Sequence, residues 1–327
     1  MKISVLGSGG WGTALAVLSE KCSHETVLWG KFKNEIEVIN KLRENPLLKG
    51  VEIPEKILVT DDSEAIKGSD VVIIATPSFA VEETSKMLGD YIKEDTIIVS
   101  VAKGFEKNTL KRFSQIIKEN SPKNSVVVLS GPSHAEEVGR KIPTSIVASS
   151  EDERAATLVQ DALSNKFFRI YTNNDVVGVE VGGALKNVIA VAAGIVRGMK
   201  LGDNTLAALI TRGMNEMSHL GEALGGEKNT FAGLSGLGDL IVTCTSEHSR
   251  NNAFGKLVGR GISVPEALKA VGTVEGYFAT EAAKKLADKH GIEMPIINEC
   301  YKILYENTSA KESISNLMTR DKKSEDF

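Results

Sequence analysis

A glycine-spaced turn near the start of the chain, Gly7-x-Gly9-x-x-Gly12, constrains the fold more than any other feature. It follows a short apolar run, Ile3–Leu6, and leads into an apolar-periodic stretch, Thr13–Lys21, that reads as a helix. In a strand–turn–helix of this kind the first glycine permits the tight bend. The second lets the backbone approach a pyrophosphate, and the third lets helix and strand pack closely. The helix N-terminus offers N–H groups and a positive dipole end to the phosphates. The same spacing occurs in plain glycine-rich turns, but its place between strand and helix points to a dinucleotide.

The segments that follow extend this reading. Thr26–Trp29, Asp70–Ala75, Thr96–Val101 and Ser125–Leu129 are short, nearly continuous apolar runs, as expected of strands buried on both faces of a parallel sheet. Helical patterns at Val81–Leu88 and Leu110–Glu119 lie between them, and Thr144–Ala148 and Phe168–Tyr171 read as the last strands. The alternation predicts an α/β, Rossmann-like doubly wound domain over residues 1–175. After Asn173 strand signals nearly vanish. Val181–Ile195 is dense in Gly, Ala, Val and Ile and reads as a buried helix that neighbours approach closely. Thr205–Leu224 places Leu206, Leu209, Ile210, Met214, Met217, Leu220 and Leu224 on one helical face. Further helices at Val264–Val271 and Thr280–Lys289 predict an all-α C-terminal domain over 176–327. Two domains suit a chain of 327 residues. The charged tail Lys322–Phe327 should fray.

Composition narrows the partners. A net charge of −4 argues against nucleic acid, so any anion site must be built from a few local Lys or Arg residues. Met1 and Lys2 lead straight into a strand pattern, with no secretory signal. No apolar run reaches the roughly 18–20 residues of a membrane span, which predicts no stable membrane insertion. Cys22, Cys244 and Cys300 are too few and too scattered for a disulfide framework or a zinc site, and fit a reducing cytoplasm. The five histidines are scattered too, and no metal site is expected.

An NAD-selective site would place an acid about 20 residues past the glycines, on the ribose 2′-OH. Here the second strand ends in Trp29-Gly30-Lys31-Phe32-Lys33, and Glu35 lies too far along to be assigned as the ribose acceptor. The two lysines either favour a 2′-phosphate or are solvated surface residues. NADP(H) is therefore favoured, with NAD(H) possible.

Several residues have the chemistry that hydride transfer at a secondary alcohol needs. Lys103 ends a buried strand, at the sheet edge where ligands bind, or is a plain loop lysine. Lys186 lies in the apolar, small-residue helix around Gly182-Gly183-Ala184. A charge there is costly unless it has a task, and burial would favour a neutral amine suited to acid/base work. The alternative is a lysine snorkelling from the helix edge. Asp239 could orient Lys186 or a substrate hydroxyl, or cap a turn. Ser249-Arg250-Asn251 makes either an anion site at a helix start or an ordinary helix start. His134, in Gly131-Pro132-Ser133-His134-Ala135, is expected in a local hydrogen-bond network rather than as a base.

The segments GSGGWGTALA, SVAKGFE, LSGPSHAEEV, VEVGGALKN, GLSGLGDLIVTCTSEHSRN and TVEG resemble, in order and from about Lys2 to Met318, the bacterial-type NAD(P)-dependent glycerol-3-phosphate dehydrogenases. The resemblance implies interconversion of dihydroxyacetone phosphate and sn-glycerol 3-phosphate, the glycerol backbone of phospholipids. It implies that Lys186 is the proton acceptor. Lys103, Gly131, Ser133, Lys186, Asp239, Ser249, Arg250 and Asn251 resemble the substrate-contacting set. Gly7, Gly9, Gly10, Trp11, Gly12, Lys31, Lys103, Ala135, Arg250 and Glu275 resemble the cofactor contacts. Many members carry Ser where this chain has Gly10, so one hydroxyl to the cofactor would be lost. Members often work as homodimers. Rossmann-plus-helical reductases of hydroxyacid and ketopantoate type are a rival reading, against which the Arg250 site favours a phosphorylated substrate.

Overall fold

The computed structural model describes residues 1–325 and divides into two compact units, 1–106 with 111–176, and 107–110 with 177 onward. In the first unit eight strands form one sheet: β1 (Lys2–Leu6), β2 (Glu25–Trp29), β3 (Leu58–Thr60), β4 (Val71–Ile74), β5 (Ile97–Ser100), β6 (Val126–Ser130), β7 (Thr144–Ser149) and β8 (Phe168–Asn173). Their order is β3-β2-β1-β4-β5-β6-β7-β8. From β1 the chain winds outward to β3, then returns past β1 to β4. The carboxyl end of β1 is therefore a topological switch point, where open α/β sheets bind ligands.

Six helices cover the sheet: α1 (Gly10–Lys21), α2 (Lys33–Leu42), α3 (Val81–Leu88), α4 (Phe113–Asn120), α5 (Ala135–Gly139) and α6 (Glu153–Leu163). Val5, Leu15, Leu28, Ile39 and Val159 pack in one core cluster, and Leu6, Ile74, Leu88, Phe113 and Ile117 in another. Adjacent strand residues Val5 and Leu6 thus serve opposite faces, as the two-residue period of a strand requires. Val71–Ile74 and Ile97–Ser100 are wholly buried, which is why these runs carry no polar alternation.

Three features depart from the expected pattern. β7 runs antiparallel to β6, while the other neighbours are parallel. The only helix in that connection is the five-residue α5, which does not carry the chain back along the sheet. Edge strand β3 has three residues and α2 buries only Ile36 and Ile39, too little apolar signal to read unaided. α4 starts at Phe113 rather than Leu110, because Leu110 takes a left-handed backbone (φ 60°) and Phe105 bridges to Arg112.

The second unit is helical: α7 (Val176–Gly198), α8 (Asp203–Ala223), α9 (Lys228–Phe231), α10 (Asp239–Thr245), α11 (Arg250–Gly259), α12 (Val264–Val271), α13 (Glu275–His290), α14 (Pro295–Tyr305) and α15 (Ala310–Met318). At 23 residues, α7 is long and apolar enough to cross a membrane, contrary to the expectation that no segment reaches that length. Its most apolar stretch is entirely buried inside the protein, so its composition is that of a core helix. The expected close approach is seen where Gly255 of α11 meets α7: a Cβ there would strike the Val191 carbonyl. The first half of α8 is less buried than its apolar face suggested, with Leu206, Leu209 and Ile210 only half covered. The expected fraying of the tail falls partly outside the described residues, at Asp326 and Phe327. Lys323 in that tail donates to Glu293 (2.5 Å).

Candidate active site

The glycine turn lies at the switch point. Gly7 has φ 121°, and a Cβ on it would stand 2.5 Å from the Ala75 carbonyl oxygen beyond β4. One on Gly12 would drive into the Gly7 carbonyl. One on Gly9 meets nothing within 4 Å, so the middle glycine faces open space. Gly9 is also the N-cap of α1 and has no side chain to satisfy the first turn. That cradle fits a pyrophosphate. Trp11 and Ala135 are half-buried against the same core cluster.

Gly10 has a structural reason. A Cβ there would lie 2.8 Å from the Leu47 carbonyl oxygen. The Leu47 segment is held over the turn by buried Asn45, whose Nδ2 donates to Ser8 O (2.7 Å) and Thr13 Oγ1 (2.6 Å). Asn45 Oδ1 accepts from Leu47 N (2.9 Å), but nothing in the local sequence marks the brace itself, since the two acceptors of Nδ2 are more than 30 positions away.

Lys31 and Lys33 are exposed after β2. Each side of the turn also carries an acid. Lys31 Nζ pairs with Glu83 of α3 (2.7 Å). Glu35 stands well past β2 in the chain, but the first turn of α2 brings it back: its Oε2 accepts from Ser8 Oγ at 3.4 Å. Phe32 and Phe79, 58% and 80% exposed, stand after β2 and β4, the strands flanking β1.

Farther along the sheet edge, Lys103, Gly131 and Ser133 come together. Lys103 Nζ (3.1 Å) and Ser133 Oγ (2.9 Å) both donate to the Gly131 carbonyl. His134 is the N-cap residue of α5 and does not cap it through its side chain.

In the second unit Lys186 of α7 is buried, 6% exposed, which dismisses a snorkelling lysine. Its Nζ donates to Asp239 Oδ1 (2.8 Å) and to Thr243 Oγ1 (2.7 Å). Thr243 donates to the Asp239 carbonyl (2.6 Å), four residues back along α10. Asp239 is therefore the first residue of α10 and the counter-charge of Lys186 at once. A buried ion pair is costly unless its hydrogen bonds are well made, and here the threonine completes them. Thr243 escaped the sequence reading because its role depends on Lys186, 57 positions away. Cys244 beside this cluster is no nucleophile: burial pushes its thiol up to about 12.

Ser249 is the N-cap of α11, accepting from Asn252 N (3.2 Å), and Arg250 follows it, exposed. Asn251 is buried and committed to the scaffold. It donates to Asn187 Oδ1 (2.9 Å) and accepts from Gly276 N (2.8 Å), tying α7, α11 and α13 together. Glu275 is the half-buried first residue of α13. The described residues contain no cluster of His, Cys, Asp and Glu able to hold a metal.

The chain is similar to known proteins over its whole length. Models described as the N-terminus and C-terminus of NAD-dependent glycerol-3-phosphate dehydrogenase match residues 2–156 and 175–315. The glycerol-3-phosphate dehydrogenase [NAD(P)+] of Thermoanaerobacter sp. strain X514 is 52% identical, with 99% of each chain covered. The chain belongs to the NAD-dependent glycerol-3-phosphate dehydrogenases. The Fusobacterium nucleatum member is 50% identical over 99% of this chain and 98% of its own. A crystal structure of the Coxiella burnetii enzyme superposes with a TM-score of 0.93 at 35% identity, covering 98% of this chain and 99% of that one. The dehydrogenase is an oxidoreductase with a nicotinamide cofactor, and the α/β unit followed by a helical unit is the fold of its relatives.

Proposed function

We propose that the dehydrogenase interconverts dihydroxyacetone phosphate and sn-glycerol 3-phosphate. The observation that carries this reading is the buried Lys186–Asp239–Thr243 cluster, an ammonium held in one direction inside an apolar helix bundle. When bound, the reduced nicotinamide supplies a hydride to the carbonyl carbon of the substrate. Lys186 donates a proton to the oxygen on which charge then builds, and takes it back in the reverse direction. Asp239 and Thr243 keep Nζ from turning away. Arg250 grips the substrate phosphate through its guanidinium fork, beside the N–H groups at the start of α11. In the first unit Lys103 and Ser133, both donating to the Gly131 carbonyl, are the residues that the family resemblance assigns to the substrate. The family resemblance assigns Glu275 to the cofactor and Asn251 to the substrate set, and the Asn251 amide, used by Asn187 and Gly276, serves there by fixing the start of α11.

The cofactor is assigned to the turn Gly7–Gly12, with Gly10 and Trp11 on its phosphates and Phe32 and Phe79 offering rings to the adenine. Exposed aromatic rings of this kind are best explained by a ligand that covers them. NADP(H) is favoured by Lys31 and Lys33, and NAD(H) remains a substrate. The enzyme is placed in the cytoplasm as a homodimer, making glycerol 3-phosphate for phospholipids.

Following NADPH and NADH oxidation with dihydroxyacetone phosphate, against ketopantoate and small oxo acids, tests the activity. In a folded Lys186→Met protein kcat should drop by about 10²–10⁴-fold while NADPH affinity hardly changes. A kcat within a few-fold of the parent would remove Lys186 from the chemistry.

A further inference from the structure

The acids around the glycine turn point to something the lysines alone do not. β2 and β4 flank β1 in the sheet, so residues that follow their carboxyl ends stand on either side of the turn. The Lys31–Glu83 ion pair joins these two sides. Glu35 approaches the turn itself through Ser8. Ser8 also lies against the end of β2, since a Cβ on Gly30 would fall 2.5 Å from Ser8 Oγ. In a dinucleotide fold this is where the adenosine ribose is held.

We infer that Glu35 and Glu83 are specificity-determining residues that hold down the preference for a 2′-phosphorylated cofactor and so keep NADH usable. The inference rests on the assignment of the cofactor to this turn. A 2′-phosphate bears close to two negative charges. Glu83 occupies the Lys31 ammonium that would otherwise receive them. Glu35 repels them, and its carboxylate can instead accept a ribose 2′-OH, the bond an NAD-selective site makes. Lys33 works the other way, so the site is balanced between two cations and two acids. Loss of either acid should tip it toward NADPH.

The test is binding, measured by quenching of protein fluorescence at fixed ionic strength. The probes are NADPH, NADH, 2′,5′-ADP and ADP; the proteins are the parent, Glu83→Gln, Glu35→Gln and Glu82→Gln. Glu82 is the control: it is also on α3, but pairs with Lys86 (2.6 Å). In Glu83→Gln, NADPH and 2′,5′-ADP should tighten about three- to tenfold, with NADH and ADP within twofold of the parent. Glu35→Gln should tighten the phosphorylated pair and weaken NADH and ADP. Glu82→Gln should change neither ratio. Equal shifts for both members of each pair, unchanged ratios in the Glu35 and Glu83 variants, or the same change in Glu82→Gln would overturn the inference and leave the cofactor assignment standing. Failure of the parent to bind NADPH and NADH would overturn both.

Discussion

Lys186 Nζ and Asp239 Oδ1 lie 2.8 Å apart, each side chain more than nine-tenths buried, on helices whose residues are 53 positions apart in the chain. Removing one partner would leave the other charge stranded in an apolar bundle. Asp239→Asn should therefore cost about 3–5 kcal/mol of stability as well as most of the activity. Thr243→Val keeps both members of the pair and removes the second acceptor of Nζ together with the hydroxyl's own bonds to Asp239. It should lower kcat by about tenfold or more with a loss of about 1–2 kcal/mol. Denaturant unfolding together with steady-state kinetics checks both; a Thr243→Val enzyme with parental kcat would show that the pair needs no guide.

Arg250 is exposed at the first position of α11, so its replacement should not disturb the fold. Arg250→Lys keeps the charge and loses the planar fork. KM for dihydroxyacetone phosphate should rise about tenfold or more, with an unchanged melting temperature. An unaltered KM and kcat would assign the substrate phosphate elsewhere.

Gly10→Ser would supply the hydroxyl that the family resemblance leads one to expect before Trp11, yet its Cβ would press on the Leu47 carbonyl oxygen. The segment braced by Asn45 must shift to admit it. We expect a loss of about 1–2 kcal/mol and weaker NADPH binding, despite the added hydroxyl. Calorimetry and cofactor titration decide; tighter NADPH binding would mean that the Leu47 segment yields freely.

Glu216 of α8 makes the stability of the fold depend on pH. Its two carboxylate oxygens accept from Ile296 N (2.7 Å) and Ile297 N (3.2 Å), capping α14, whose own N-cap is Met294. Burial pushes its pKa up from 4.5 to about 7, against the pull of the two N–H groups and of Arg320 and Arg212. Between those values the folded protein holds a proton that the unfolded chain has released. Its contribution is complete below about pH 4.5 and is lost as pH rises through about 7. Glu216→Gln should flatten the fall in stability over this range and gain on the parent by about 1–3 kcal/mol from pH 5 to pH 8. Parallel stability curves for parent and variant would contradict this.

The features legible in the sequence are those whose physical cause is local. Gly7, Gly9 and Gly12 must be spaced as they are because one turn joins one strand to one helix. The runs at Val71–Ile74 and Ile97–Ser100 are continuous because both faces are covered. Lys186 stood out because a charge within a Gly–Ala–Val helix needs a reason. What the sequence could not show depends on which distant segments meet. The approach of Glu35 to Ser8 was not legible, because chain distance past β2 says nothing about the turn of α2 that folds it back. Asn45, Thr243 and Glu216 carry no signal of their own: an amide, a hydroxyl and a carboxylate become a brace, a guide and a cap only when their partners arrive from 32 to 81 positions away. The direction of β7 belongs here as well, since apolar runs look alike whichever way they enter a sheet. The chain's own spacing determined the glycine turn and the helical core, because those depend on neighbouring residues. Tertiary structure alone decided the charge balance around the turn and the pairing of Lys186, because hydrogen bonds and ion pairs act over ångströms of space and are blind to distance along the chain.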